Sequence, residues 1–515
     1  MKPVSQQRLT HRESKATWAS GRVSTQRMKM MRCIAGLGAL ACGALQAQSN
    51  TNPVTVNVAL RERVNTTEWF SATPNAELYG HMDSLLRIAV QQRVHAIDWQ
   101  LELGQAAELF LPDDAVSPVT AQGQLGLGGT YYAANGNNTF PAAAFLKTGF
   151  VRYHFANDKG ALRLGRFEFF EGAETTPKNS TLAWLQTYRM AQRMIGNFGF
   201  ANAQRSLDGV DAKIGGSNWD VTAMAARADQ GVYNMNANPE LNVDAQYLAY
   251  TRYVAQQHVI LRGFAIGYHD GRTGVVKTDN RPLAVRTADH QNIRIGSYGA
   301  SAMAAIPAAG NTFDLLFWGV LQNGQWGSLQ HSAGGVATEA GFHINTLKTQ
   351  PWLRGGFLRT TGDNNPNDDK HNTCFQVLPT PRNYARFPFF NMMNSTEQFV
   401  QLIDKPSSKL DVRTDLHFLH LTAPMDLWYQ GGGAYDNKVF GFTGRPASNN
   451  ANFATLWDVS ADYALTKQLS LTGYYAHVSG KAVVAAIYPQ STNAQYGFLE
   501  LNYKLARSTG GAKMH

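Results

Sequence analysis

Ile97-Asp98-Trp99-Gln100-Leu101-Glu102-Leu103 is an unbroken alternation of apolar and polar side chains. Successive side chains of a strand point to opposite faces, so this stretch offers one greasy face and one charged face. Wound into a helix of about 3.6 residues per turn, the same residues would scatter their charges around the axis. The period recurs along the chain. Val54, Val56, Val58 and Leu60 alternate with Thr55, Asn57, Ala59 and Arg61, and Leu86, Ile88 and Val90 alternate with Arg87, Ala89 and Gln91. Val210, Ala212 and Ile214 enclose Asp211 and Lys213, and Trp219, Val221, Ala223 and Ala225 enclose Asp220, Thr222 and Met224. Near the end, Trp457, Val459, Ala461 and Tyr463 oppose Asp458, Ser460 and Asp462, while Leu499, Leu501, Tyr503 and Leu505 oppose Glu500, Asn502 and Lys504.

A soluble β-sandwich would alternate as well, but two features favour a membrane barrel. Aromatic residues stand on the apolar faces (Trp99, Trp219, Trp457, Tyr463, Tyr503), as interfacial girdles require, and the polar faces carry full charges of both signs, as a wet lumen allows. Closure is then obligatory, because an open sheet edge in lipid would leave unpaired backbone groups. The predicted fold is all-β, a transmembrane antiparallel β-barrel of about 16–18 strands, with an even number expected. Long polar connections at Pro112–Asn138, Glu171–Thr187, Asp270–His290 and Gly362–Lys409 are interspersed with short ones such as Gly215-Gly216-Ser217 and Leu465-Thr466-Lys467. That contrast fits external loops and periplasmic turns. Gln257–His269 and Gln350–Thr361 lack clean alternation, and Asp270-Gly271 and Asn323-Gly324 read as turns.

The chain has 515 residues, 44% of them hydrophobic, yet its longest apolar run, Cys33–Leu45, is too short for a membrane helix of roughly 18–20 residues. Lys29 and Arg32 precede that run and small residues follow it, which is the layout of a secretory signal peptide cleaved after Ala47, with Ala44 as the alternative. Residues 28–47 are therefore assigned as signal peptide, 1–27 as an N-terminal extension that suggests a true start at Met28, and 48–515 as the barrel. The first 47 residues hold eight Lys and Arg and one acid, so the totals of 46 and 37 fall to 38 and 36 beyond them, a net charge of +2. The pI of about 9.3 is thus a presequence property and marks no nucleic-acid surface. Cys33 and Cys42 fall within the signal, leaving Cys374 alone, with neither a disulfide nor a cysteine zinc site open to it.

Three stretches resemble the alginate-export family of outer-membrane barrels. They are Leu162-Arg163-Leu164-Gly165-Arg166-Phe167-Glu168-Phe169 with Phe170-Glu171-Gly172 following, Leu207-Asp208-Gly209-Val210, and Gly362-Asp363-Asn364-Asn365-Pro366-Asn367-Asp368-Asp369-Lys370 continuing through Thr373-Cys374-Phe375 and Pro379-Thr380 to Tyr384. Trp457–Tyr463 and Leu469–Gly480 resemble that family's last hairpin, so the likeness spans residues 51–505. The resemblance implies an 18-stranded barrel in the bacterial outer membrane that passes an anionic polysaccharide, or related small anionic solutes, through an arginine-containing lumen. It also implies a periplasmic export complex as partner. The chain departs from the usual aromatic C-terminus of such barrels by running through Ala506 to His515.

With the apolar parity facing lipid, Arg61, Arg87, Arg93, Arg163, Lys213, Arg413 and Lys504 point into the lumen as the expected solute path. A guanidinium is always charged and offers carboxylates a planar fork. Asp98, Glu102, Asp211, Asp415 and Glu500 are available to pair with these cations. Arg166 has lipid parity, and a bulge at Gly165 would return it to the lumen. Asp363, Asn365, Asp368 and Asp369 offer oxygen ligands but not the spacing of a calcium loop, so they read as a solvated turn and no metal or cofactor is assigned. Catalytic motifs are missing, and His81, His95, His154, His417 and His420 read as isolated strand histidines. The expected function is a pore and not an enzyme, the alternative being a secreted β-rich polysaccharide hydrolase or lyase.

Overall fold

The computed structural model describes residues 52–71, 78–381 and 384–509. The expected signal peptide and N-terminal extension lie outside the described residues. The unit Val54–Ser508 is built of long strands. They are β1 (Val54–Glu68), β2 (Leu78–Val94), β3 (Ile97–Leu109), β4 (Ala142–Phe155), β5 (Gly160–Phe167), β6 (Leu207–Gly215), β7 (Trp219–Asp229), β8 (Glu240–Val254) and β9 (Val259–Asp270). The second half supplies β10 (Ile293–Ala308), β11 (Asn311–Trp326), β12 (Leu329–His343), β13 (Trp352–Thr360), β14 (Ser395–Ser407), β15 (Leu410–Leu421), β16 (Asn452–Ala464), β17 (Leu469–Gly480) and β18 (Asn493–Ser508). Each pairs antiparallel with the strands before and after it, and β1 closes on β18 from Thr55↔Ser508 to Glu68↔Gln495. The result is a closed barrel of 18 antiparallel strands. Among the described residues no helix is long and apolar enough to cross a membrane.

Alternation places the apolar residues outside, as period 2 requires. Leu101, Leu103, Val151, Leu164, Leu248, Leu321 and Leu499 are exposed on the wall, reaching 66% exposure at Leu164 and 72% at Leu321. The intervening Asp83, Glu102, Thr148 and Asp415 are buried against the interior. Gln257–His269 and Gln350–Thr361, without clean alternation, hold all but the last residue of β9 and the whole of β13, whose outer positions Gly263 and Gly355 carry no apolar side chain to mark the face.

Connections divide by end. Residues 95–96, 156–159, 216–218, 255–258, 309–310, 344–351, 408–409 and 465–468 form one rim of short turns. The opposite rim carries the long loops 110–141, 168–206, 271–292, 361–394 and 422–451. In barrels of this kind short turns face the periplasm and long loops the exterior. Two expected connections need correction. The stretch Gly362–Lys409 is not all loop, because Ser395–Ser407 forms β14, whose inward Glu397 and Gln401 made its alternation look polar. Asn323-Gly324 lies inside β11, and the turn falls at Gly327-Ser328, where Gly327 takes φ +61°. His95 likewise sits in the β2–β3 turn with φ 55°, not in a strand.

The bulge anticipated at Gly165 occurs elsewhere. Register runs unbroken through Phe150↔Gly165 and Gly149↔Arg166, so Arg166 keeps outer parity although Gly165 has φ +128°. Between Glu102↔Thr148 and Leu103↔Leu146 the register shifts, and Lys147 is the extra residue. Direct register then aligns Arg166, Asp208, Arg227, Asp244, His269 and Arg294 in one outward row across β5–β10, near the long-loop rim. Arg166 bonds Asp208 at 2.7 Å and Arg227 bonds Asp244 at 2.8 Å, so the row is largely self-neutralised.

Candidate functional site: the lumen and its plug

Three long loops turn inward and fill the outer half of the bore. Loop 168–206 carries a short helix, α1 (Ser180–Leu185), started by the Asn179 side chain accepting from the Leu182 N–H. This is an ordinary helix cap. Loop 361–394 runs beside it, with Leu378 N–H donating to Met194 O at 2.8 Å and Gly196 N–H to Leu378 O at 2.8 Å. Loop 422–451 adds a hairpin of Leu427–Gly431 with Phe442–Pro446. Arg205 staples all three. Its guanidinium donates to the carbonyls of Gly196 (2.9 Å), Leu378 (2.8 Å) and Gly432 (2.5 Å), and burial pulls its pKa down to about 10.

The plug is aromatic at heart. Trp69, Phe70, Phe387, Phe389, Trp428, Phe453 and Tyr488 are all buried, with Phe70 edge-on to Trp428 at 6.0 Å and Phe389 tilted against Phe453 at 5.4 Å. Aromatic pairs of this kind add about 0.5–1.5 kcal/mol each beyond their buried area. A second apolar cluster joins Trp318, Trp326, Phe375, Phe399 and Phe440 to Met190, Met194 and Ile195 of loop 168–206. The purely wet bore suggested by the strand faces is therefore confined to the half nearer the short turns, because the loops bring apolar side chains that strand periodicity cannot reveal.

The plug is held to the wall by ions. Arg189 and Arg193 of loop 168–206 meet Glu339 of β12 at 2.9 and 3.4 Å, and Arg354 of β13 binds both Glu339 and Asp314 at 3.0 Å. These groups are 0–2% exposed. Glu168 lies between Lys147 (3.2 Å) and Arg87 (2.6 Å); burial alone would raise its carboxyl, but the two cations hold it down at about 2. Asp426 accepts from the Asp363 N–H, the Thr373 hydroxyl and the Tyr429 hydroxyl, and burial pushes its carboxyl up to about 6. The acidic loop considered for calcium closes on itself, with the Asn365 N–H donating to Asp363 and the Asn365 amide to Asp368 at 3.1 Å. Cys374 is buried, and that burial pushes its thiol up to about 12.

The seven expected lumen cations share inner parity but not one place. Arg61 caps the carbonyls of Gly199 (2.7 Å) and Ala201 (3.0 Å), holding the plug. Arg87 is paired with Glu102 and Glu168, Arg163 with Asp211, and Arg93 with Asp158 at the short-turn rim. Lys213 donates to the Glu174 carbonyl, and Arg413 lies 3.6 Å from Asp415. Lys504 is exposed beside the short turn 465–468. Two hollows open beneath the plug. One, of about 430 Å³, is lined by Arg152, His154, Arg163, Phe169, Asp211 and Lys213. The other, of about 490 Å³, is lined by Trp184, Trp352, Arg386, Arg413, Asp411 and Asp462.

Arg386 was missed by periodicity because it comes from the plug. Its guanidinium lies 5.8 Å from the ring centres of both Tyr474 and Phe498, and among the described residues it has no carboxylate partner. The lone cation in Tyr384-Ala385-Arg386-Phe387-Pro388-Phe389-Phe390 was the available signal.

A match to the alginate export family model covers residues 129–496, most of the chain and the barrel from β4 to the start of β18. The chain belongs to the alginate export family. Its solved structural neighbours are outer-membrane porins. OccK9 (OpdG) of Pseudomonas aeruginosa aligns at a TM-score of 0.55 with 10% identity, covering 88% of this chain and 98% of that one. The structure of P. aeruginosa OpdK with vanillate gives 0.54 and 8% over 88% and 99%, as does Acinetobacter baumannii OccAB3. At such identities the likeness is one of fold. A search of curated proteins finds no match. Together, this alginate export family chain is an outer-membrane β-barrel channel, located in the bacterial outer membrane.

Proposed function

We propose that this channel passes anionic solutes, uronate polysaccharide fragments or small carboxylates, through a bore narrowed by its own loops. The observation that carries the reading is Arg386, whose guanidinium lies beside the stacked rings of Tyr474 and Phe498, has no carboxylate partner among the described residues, and lines the same hollow as Arg413. A planar cation fixed in this way is pre-organised for a carboxylate, and low local dielectric strengthens the attraction. The remaining lumen cations, Arg61, Arg87, Arg93, Arg163, Lys213 and Lys504, set the field along the path, most of them neutralised by partners. Their near balance favours modest anion preference over strong binding, as conduction needs entry without trapping. The channel works without chemistry of its own. For export, a periplasmic complex would deliver the chain end to the short-turn rim.

Planar bilayers with a KCl gradient test this. A reversal potential of anion-preferring sign, and current block by uronate oligomers added from one side, are the expected results. A strongly cation-selective pore would overturn the proposal, and turnover of an acidic glycan by the purified protein would favour the hydrolase or lyase reading.

A further inference from the structure

The wall of β14–β17 holds a second set of groups that the solute path does not use. Asp415 and His417 of β15 and Asp458 of β16 are each buried, and one ligand atom from each lies within 4.8 Å of the others. Register explains the meeting, since Asp415 pairs directly with Asp458 and His417 stands on the next inward position of the same strand. Every member is already oriented from behind. Glu397 Oε1 lies 2.7 Å from His417 Nδ1, the Gln401 amide donates to Asp415 Oδ1 at 2.5 Å, and the Tyr474 hydroxyl donates to Asp458 Oδ2 at 2.7 Å.

What remains is a set of unused acceptors. His417 is 0% exposed, yet its Nε2 has no hydrogen-bond partner, and Asp415 Oδ2 has none either. Among the described residues, Arg413, 3.6 Å from Asp415, is the one Lys or Arg within 4.0 Å of the three carboxylates Glu397, Asp415 and Asp458. Leaving such groups buried and unpaired is costly, and a cation is the simplest remedy. A metal-ligating histidine almost always gives its other ring nitrogen to a carboxylate, which is what Glu397 does here. The other buried cluster, His81, Asp83 and Glu108, already has its cation, the Arg63 guanidinium 3.0 Å from Asp83.

We infer that His417, Asp415 and Asp458 bind one divalent transition-metal ion, such as zinc, in the barrel wall. One imidazole nitrogen and two carboxylate oxygens leave a further position for water, a donor set that suits zinc. The ion enters from the hollow beneath the plug, whose lining includes Arg413 and Ser460, the inward neighbours of Asp415 and Asp458. It also fastens the plug, because the Tyr474 hydroxyl that holds Asp458 accepts the Arg386 and Phe387 N–H groups at 3.1 and 3.2 Å.

The test uses the folded chain in detergent, stripped with chelator, loaded with ZnCl₂ and desalted, with zinc counted by mass spectrometry. Heat-modifiable migration on gels confirms that each variant is folded. The wild type is expected to keep one zinc per chain. His417→Gln and Asp458→Asn should each lose at least tenfold in zinc affinity, and Glu397→Gln about 10–100-fold, the range for an outer-shell partner. His420→Gln, on the exposed face, should retain the wild-type value. The inference is overturned if the wild type keeps no zinc, or if whichever of the His417 and Asp458 variants folds binds zinc as well as the wild type does.

Discussion

Replacing Glu339 by Gln should release loop 168–206 from the wall. Glu339 is the shared partner of Arg189, Arg193 and Arg354, but the loss is uneven, because Arg354 keeps Asp314 at 3.0 Å while Arg193, among the described residues, is ion-paired with Glu339 alone. Removing one member of a buried ion pair costs about 3–5 kcal/mol, much of it the penalty of leaving the remaining charge unpaired. Undocking hydrates Arg189 and Arg193, so that cost falls on the docked state. At about 1.4 kcal/mol per tenfold, the docked-to-undocked ratio should fall by roughly two to three orders of magnitude. Single-channel recording reads the change as longer dwell in a wider-conductance state, and limited proteolysis as new cleavage within residues 168–206. Asp314→Asn is the contrasting variant, since it weakens only the β11–β13 contact and should lower the unfolding midpoint without widening the pore. A folded Glu339→Gln protein with wild-type conductance and unchanged loop protection would refute the reasoning.

Other outcomes follow from single sites. Asp426, whose ordinary value is 3.8, has a carboxyl raised to about 6 when docked. Docking therefore favours the protonated form, with loop stability greatest below about pH 4, falling as pH rises to about 6 and level above; proteolysis of residues 422–451 across that range checks it, and Asp426→Asn should remove the dependence. Arg386→Glu should move the reversal potential toward cation preference with little change in folding, measured in the same bilayers as the wild type. Leu248→Arg, on the outer face of β8 at 54% exposure and well below Asp244 of the charged row, should cost about 2–4 kcal/mol at the bilayer midplane and reduce the folded band on unheated gels.

The barrel was legible because strand period and membrane solvation act on the same residues. Ile97–Leu103 and Trp457–Tyr463 have to keep their apolar side chains on one face in lipid, so their sequence records the fold directly. β13 and β14 were harder, since glycine fills outer positions of the first and buried polar groups paired with β15 fill inner positions of the second. The site was only half legible. Inner parity follows from period 2, so Arg61, Arg87 and Arg163 could be placed on the inside, and Glu102 and Asp211 on the neighbouring strands were legible as partners, whereas Glu168 and the carbonyls that Arg61 caps come from loop 168–206. Nothing local ties Arg189 to Glu339 or Arg205 to Gly432. Arg386 escaped for the same reason, being carried inside by a segment with no periodicity. No bulge forms at Gly165, which pairs directly with Phe150 despite its positive φ; the extra residue is Lys147, in the β3–β4 pairing one strand over.

The outward row from Arg166 to Arg294 acts as a waterline. Hydrocarbon cannot rise past charges on six adjacent strands, so on that flank the apolar skin has to end below them, whatever the length of the strands above. The rim of β5–β10 at and above that row accordingly stands clear of the acyl chains, among the sugar and phosphate layer of the outer leaflet, and the depth at which the cylinder floats is written on its own side.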